Sequence, residues 1–352
     1  MPCTLLSLRR PGPLHSPASR RDALRNAMIC AISSAAVAFG IGGAEAQTIT
    51  MRVGSDVPLD APHTVSAVKM KESVERLTEG RIKVEIFPNS QLGDSTAMTT
   101  SVKSGTLDAV MTAASNLALA VPSADVFNLP FLFKDALQAL RAASGPMGDL
   151  LKPRLEAAFN CEVIGFATDG SRNLWDNKRP IRKPEDLRGL KMRGVAASKI
   201  LRDTYLALGA IPTPLAFPET YTGLQTGVID GGDMPVLDML AFRLYQVTKY
   251  LTLSRQTSPA VVFIASKKFM DRLSPDDRQI VRDSGKFASQ EHVKVVLAKE
   301  DAAVQELKDR GMQVFEMENR DAFVAKVQPV LAEASTRIGA DIMELARAAA
   351  AQ

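Results

Sequence analysis

The sequence predicts an α/β protein built as two doubly wound lobes. Three observations carry this. Strand-like and helix-like patterns alternate as βαβαβ from residue 49 to residue 111. A second α/β series starts near Lys191. The chain has 352 residues, 46% hydrophobic and 23% charged, which is globular composition and long enough for two packed lobes.

The elements follow in order. Ile49, Met51 and Val53 alternate with polar neighbours and read as a strand. Ala67, Met70, Val74 and Leu77 recur at helical spacing. Ile82, Val84 and Ile86 alternate again and stop at Pro88-Asn89, a turn. A helix near Ser95–Lys103 and a strand near Leu107–Met111 complete the opening unit, whose parallel strands need crossover helices. An apolar run at 126–133 is broken by Pro130, and helix is expected over about 136–159. Residues 163–167 read as a buried strand. The polar, turn-rich stretch 170–184 is a candidate crossover between lobes.

The second series has a strand near Lys191, a helix near 198–208, a short helix after Pro218, a helix over about 235–245 and a strand over 261–266. The longest element comes next. Ser274 is an N-cap, Pro275 sits at the first helical position, and Asp276 and Asp277 face the positive helix end. The helical pattern then runs to Gly311. At 1.5 Å per residue that is roughly 54 Å, more than one lobe's diameter. The apolar positions hold no strict heptad, so a helix lying across two lobes fits better than a coiled-coil arm.

Most of the net charge of +4 comes from the N-terminus, where Arg9, Arg10, Arg20, Arg21 and Arg25 meet only Asp22 and Glu45. No basic run follows, so a nucleic-acid partner is not expected. Arg20-Arg21 precede an apolar stretch from Ala27 to about Ile41, then Ala44-Glu45-Ala46. This reads as a signal peptide over residues 1–46, cleaved before Gln47. The twin arginines point to Tat export, with an ordinary Sec signal as the alternative. The apolar stretch is short of the roughly 20 residues a retained span needs. Cys3 and Cys30 leave with it. Cys161 is then alone, can form no internal disulfide, and is expected to pack as a small hydrophobe.

Catalytic and cofactor motifs are missing. The only later histidines are His63 and His292, with no H-E-x-x-H pattern and no cysteine pair, so neither a metal nor a cofactor is expected. No G-x-S-x-G elbow occurs. Gly40-Ile41-Gly42-Gly43 lies in the signal and follows no strand. His292 is expected to be a solvated residue of the long helix, and His63 to start a helix. Arg172 and Arg193 are different. They stand among glycines and apolar residues, where a planar guanidinium fork suits a carboxylate.

Six blocks carry a family resemblance: PNSQLGDS at 88–95, SGTLDAV at 104–110, FNLPFLF at 127–133, RPIRKPEDLRGLKMR at 179–193, ALGAIPTPLAFPETYTGLQTGVIDG at 207–231 and YLTLS at 250–254. Together they resemble the solute-binding proteins of TRAP (tripartite ATP-independent periplasmic) transporters over nearly all of the mature chain. The resemblance implies the two-lobed periplasmic-binding architecture, with a ligand cleft between lobes and a long helix spanning both. Lobe I would comprise 47–169 and 260–300, and lobe II 170–259 and 301–352.

The resemblance also implies roles. Arg193 would make the main salt bridge to a ligand carboxylate, and Arg172 would contact it or support its neighbours. Phe217, before Glu219 and Tyr221, would pack on the ligand body. Asp56 and Ser95 fall at first-lobe polar contacts. Asp233 and Met234 lie in a stretch where the family often has DGxENP, Met234 replacing its Asn. Gln256 stands where a histidine is often seen. Ala113 and Ala196 occupy positions where sialic-acid binders carry polar groups. These departures argue against sialic acid and for a smaller or less hydroxylated acid. Trp175, the sole tryptophan, is a further pocket candidate, the alternative being a place between the lobes.

The expected function is therefore capture of a small organic anion in the periplasm, by a monomer, and its delivery to TRAP permease membrane subunits. A ligand-sensing subunit for a membrane receptor would share these features, and an organic-acid enzyme using Asp56, Asp233 or Glu219 is the remaining reading.

Overall fold

The computed structural model describes residues 48–352. The signal-peptide reading falls outside them. Among the described residues no helix is long and apolar enough to cross a membrane.

Two sheets organise the chain. The first has the strand order β2-β1-β3-β10-β4, from β1 (Ile49–Ser55), β2 (Ile82–Phe87), β3 (Ala109–Ala113), β10 (Val261–Ser266) and β4 (Cys161–Ala167). β1, β2 and β3 are parallel, joined by α1 (Pro62–Leu77) and α2 (Ser95–Ser104). β10 runs antiparallel between β3 and β4. The second sheet has the order β11-β9-β5-β8-β6-β7, from β5 (Arg172–Asp176), β6 (Lys191–Gly194), β7 (Ile211–Pro214), β8 (Gly231–Met234), β9 (Tyr250–Thr257) and β11 (Gln313–Glu316).

Both faces of each sheet are covered. One face of the first packs on α1 and the long helix, with Met70, Val74, Val281 and Ala288 among the buried residues. The other packs on α2, α3 (Ala136–Ala143), α4 (Pro146–Phe159) and two C-terminal helices. Cys161 is buried in this second layer, and burial lifts its thiol to about 12, so it stays protonated as a packing residue.

The residue range 170–184, expected as a crossover, contains one only at its start and then holds a central strand. All of Arg172–Asp176 is buried between β8 and β9. A strand covered on both faces need not alternate apolar with polar, so periodicity could not reveal it. The chain passes between sheets at 168–171 and again at 258–260. These two passages lie side by side, tied by Ser171 Oγ to Ser258 Oγ at 3.1 Å and by Thr168 Oγ1 donating to the Pro259 carbonyl at 3.2 Å.

The long helix, numbered α9 in chain order after the short helices α5 (Lys199–Ala207), α6 (Thr220–Gln225), α7 (Val236–Ala241) and α8 (Lys267–Met270), spans Pro275–Asp309. Ser274 caps it, accepting from Asp277 N at 3.1 Å. Its first half packs in the first core, while Ala303 and Leu307 pack with Trp175 and Leu251 of the second. It seats directly on β4 because two glycines meet there. A Cβ on Gly165 would lie 2.0 Å from Ser289 Oγ and 3.0 Å from the Gly285 carbonyl. Gly165→Ala must push the helix away and should destabilise the fold by about 1–3 kcal/mol. Urea unfolding would read this as a lower midpoint at unchanged slope.

The C-terminus corrects the expected lobe boundaries. Phe323 and Val327 at the start of α10 (Arg320–Ile338) pack in the second lobe. Val330, Ala334 and Ile338, with Ile342, Met343 and Ala346 of α11 (Ala340–Ala350), return to the core of the first. Residues beyond 330 thus belong with lobe I, because their apolar face fits the layer formed by α3 and α4.

Candidate ligand-binding site

A cleft of about 260 Å³ lies between the lobes. The parallel strands determine where. Asp56 directly follows β1, Asn116 follows β3, Arg193 is near the end of β6, and Leu215 and Phe217 follow β7. Ligands of open α/β sheets bind beyond the carboxyl ends of the strands, and both lobes present those ends to this cleft.

Arg193 is held rigidly. On β6, Met192 points into the core, so Arg193 points the other way. Its Nε donates to the Leu215 carbonyl at 3.0 Å, and its guanidinium carbon sits 4.1 Å from the centre of the Phe217 ring. Its Nη1 is buried without a hydrogen-bond partner, and no carboxylate pairs with it among the described residues. Burial, and after it the charge of Arg172, lowers its pKa to about 10. It is still a cation at neutral pH, one that lacks a counter-ion.

Arg172 is already engaged. Its Nε and Nη2 donate to the two carboxylate oxygens of Asp233 at 2.7 and 3.1 Å, and Nη2 also donates to the Asp233 carbonyl. Asp233 takes two more hydrogen bonds, from Tyr205 Oη at 2.6 Å and Gln256 Nε2 at 3.0 Å. Burial opposes ionisation of Asp233, but Arg172 and these donors outweigh it and hold the carboxyl below its usual range. Gln256 is oriented in turn by Ser254 Oγ. Arg172, Asp233 and Gln256 therefore form a closed network behind Arg193, and they do not line the cleft.

Asp56 and Ser95 stand on the opposite wall with Asn116. Ser95 Oγ donates to Asp56 Oδ2, and Asp56 Oδ1 is buried without a partner. Ala196 lines the cleft too, as does Glu219, whose carboxylate accepts from Ala216 N and so holds the turn carrying Phe217. Trp175 and Met234 do not line it. Both are fully buried in the second core, and the Trp175 ring fills the space over Gly232, where a Cβ would meet it at 2.6 Å. The absence of a side chain on Gly232 draws the indole under the sheet. Tyr205, Ser90 and Asn116 were not singled out by sequence reasoning. Ser90 lies inside the 88–95 block, which was a usable signal; Tyr205 and Asn116 had none.

His292 is not solvated. It is buried in the long helix, its Nε2 2.8 Å from Asp169, and His63 Nε2 bonds the other oxygen of the same carboxylate. Burial pulls the His63 pKa down, but Asp169 outweighs it and lifts the imidazole to about 9. A pKa raised above the unfolded value of about 6.5 stabilises the fold below that pH. The contribution, on the order of 3 kcal/mol, declines above pH 6.5 and is gone once pH passes about 9. Nearby Asp238 is pushed above its usual range by burial and then by the charge of Asp169. Denaturant titrations from pH 6.5 to 9.5 should show stability falling, and His63→Gln should flatten that slope; a flat wild-type profile would contradict the assignment.

A larger groove of about 720 Å³ borders α7 and the C-terminal half of α9. Its Arg310 is paired with Glu306 at 2.6 Å, and among the described residues its lining holds no buried unpartnered side-chain atom. The smaller cleft is therefore the candidate site.

Two α/β lobes bridged by a long helix, with a buried unpaired guanidinium facing a polar wall, define a two-lobed anion-binding protein. Comparisons with known proteins agree. The sequence profile described as bacterial extracellular solute-binding protein, family 7, matches residues 53–337. The C4-dicarboxylate-binding periplasmic protein DctP of Rhodobacter capsulatus is 32% identical over 321 residues, covering 87% of this chain and 92% of that one. The 2,3-diketo-L-gulonate-binding periplasmic protein YiaO of Escherichia coli K12 is 31% identical over 307 residues, covering 85% and 90%. A TRAP periplasmic solute-binding protein from Polaromonas sp. JS666, solved bound to D-erythronate, superposes with a TM-score of 0.81 at 32% identity, covering 85% and 98%. The chain belongs to family 7 of the bacterial extracellular solute-binding proteins, the periplasmic binding components of TRAP transporters.

Proposed function

We propose that this protein captures a small organic acid in the periplasm, with Arg193 as the carboxylate anchor, and passes it unchanged to a membrane permease. The supporting observation is the Arg193 guanidinium itself. Leaving a buried donor unsatisfied costs about 1–3 kcal/mol, more when it is charged, and a carboxylate would satisfy its fork at two points. Phe217 holds the guanidinium plane and would flank the ligand. Asp56 and Ser95 would meet the ligand's far end. Arg172, Asp233 and Gln256 would act from behind, by fixing β5 against β8.

The two jaws would be built on the two sheets, and they would close by a hinge at 168–171 and 258–260. The protein would act as a monomer, without cofactor, metal or nucleic acid, and without catalysing a reaction. A thermal-shift screen of the purified protein against organic acids tests this. A ligand at about 100 times its dissociation constant should add roughly 2.7 kcal/mol of stability, a rise of several degrees. Mass spectrometry of the denatured protein would recover a co-purified ligand. If no acid shifts the midpoint and none is recovered, the proposal fails.

A further inference from the structure

Resting on that reading, we infer that the ligand is a small monocarboxylate bearing hydroxyl groups, and that Asp56 and Ser90 select it against dicarboxylates. Among the described residues, Arg193 is the one cation lining the cleft, and the acidic residues lining it are Asp56, Asp94 and Glu219. A first carboxylate completes Arg193. A second, at the far end of a short acid, would meet Asp56, which is 4% exposed and cannot swing into solvent. Like charges brought together there cannot be screened as they would be on an open surface. Arg172 offers no relief, because Asp233 already neutralises it.

The same wall asks for hydrogen-bond donors. Asp56 Oδ2 is occupied by Ser95, while its Oδ1 is buried and has no partner among the described residues. A carboxylate oxygen only accepts, so the missing partner is a donor. Ser90 adds a second requirement. Its Oγ is also buried without a partner, and it has both a hydrogen to give and lone pairs to fill. Asn89 and Ser90 both sit in left-handed backbone, at φ 53° and 55°. That conformation is uncommon for residues other than glycine, and it clusters at functional sites. The turn is pinned there by Asn89 N donating to the Val57 carbonyl at 2.9 Å and Ser90 N donating to the Ser55 carbonyl at 3.0 Å.

A ligand hydroxyl both donates and accepts, so neighbouring hydroxyls satisfy Asp56 and Ser90 together. An ammonium would satisfy Asp56 but could accept nothing from Ser90. The volume, about 260 Å³, is just below the roughly 300–1,000 Å³ of pockets for drug-sized ligands. That restricts the acid to a short chain.

Isothermal titration of the purified protein with matched four-carbon acids tests this. The acids are 2,3,4-trihydroxybutanoate, succinate, butyrate and threonine, with gluconate against glucarate as the six-carbon pair. The hydroxylated monocarboxylate of each length should bind at least about 30-fold more tightly than the dicarboxylate. Asp56→Asn should narrow that gap by about tenfold, chiefly by improving the dicarboxylate, and Ser90→Ala should weaken the hydroxy acid while leaving butyrate unchanged. Circular dichroism and the thermal midpoint would verify that both variants fold.

Equal or tighter binding of succinate or glucarate would overturn the inference but leave anion capture standing, provided Arg193→Ala still weakens binding by about 30-fold or more. Tightest binding of threonine would show that Asp56 pairs with an ammonium, which also overturns it. If no panel acid binds, the molecule released on denaturation decides. A hydroxylated monocarboxylate supports the inference and any dicarboxylate sinks it. Recovery of none removes the anion-capture reading and the inference with it.

Discussion

Arg193→Ala should weaken binding of the cognate acid by roughly 30-fold to several thousand-fold, about 2–5 kcal/mol. The size follows from the place of the side chain. Arg193 is 3% exposed, and its Nη1 has no hydrogen-bond partner among the described residues. A carboxylate entering the cleft is desolvated against it, so removing the guanidinium leaves a buried anion with nothing to balance it. The variant should fold well, because it removes a buried charge that no carboxylate neutralises. Arg193→Lys should recover only part of the affinity, since an ammonium neither reproduces the fork nor lies flat on Phe217. Titration calorimetry on both variants checks this; unchanged affinity in the alanine variant would move the anchor elsewhere.

Asp233→Ala should act on stability instead, by about 3–5 kcal/mol. Asp233 accepts from Arg172, Tyr205 and Gln256 at once, and all four residues are buried. Its loss strands the Arg172 charge and leaves two further donors unsatisfied. The thermal midpoint should fall by roughly 5–15 °C. Asp233→Asn keeps the shape but not the charge and should fall in between. Binding should weaken in the same variants, because Arg172 without its counter-ion repels Arg193 and any change in β8 displaces β6 beside it. A midpoint within a degree or two of wild type would mean that Arg172 finds another partner.

These two effects separate what a one-dimensional reading can and cannot reach. α1, β2 and α2 were legible because each has one buried face and therefore a period, and β1 and β3 because they complete the βαβαβ unit around them. The ends of α9 were legible because Ser274, Pro275 and Gly311 are local signals. β5 was not, because it is buried on both sides and its polar residues are satisfied by partners such as Asp233, 61 positions from Arg172. His292 failed for the same reason, its partner Asp169 being 123 positions away. The hydroxyl of Tyr205 became meaningful only once a helix had brought it to β8. Among the site residues, Arg193, Phe217, Asp56 and Ser95 meet at the cleft, whereas Trp175 and Met234 stay in the core. An aromatic residue near a motif arginine could face either way, and Gly232 decides which.

The position of β10 has a consequence for how the molecule is made. It enters between β3 and β4 only at residue 261, after every strand of the second sheet but β11 has been synthesised. Until then the first sheet is two separate pieces with open edges. The helices that finish its core, α10 and α11, are the last part of the chain to emerge. Neither lobe can therefore be born before the other, and their assembly waits on contacts between residues far apart in sequence, which is the slow regime of folding. An emerging chain of this design exposes unpaired strand edges for most of its synthesis and needs protection over that interval.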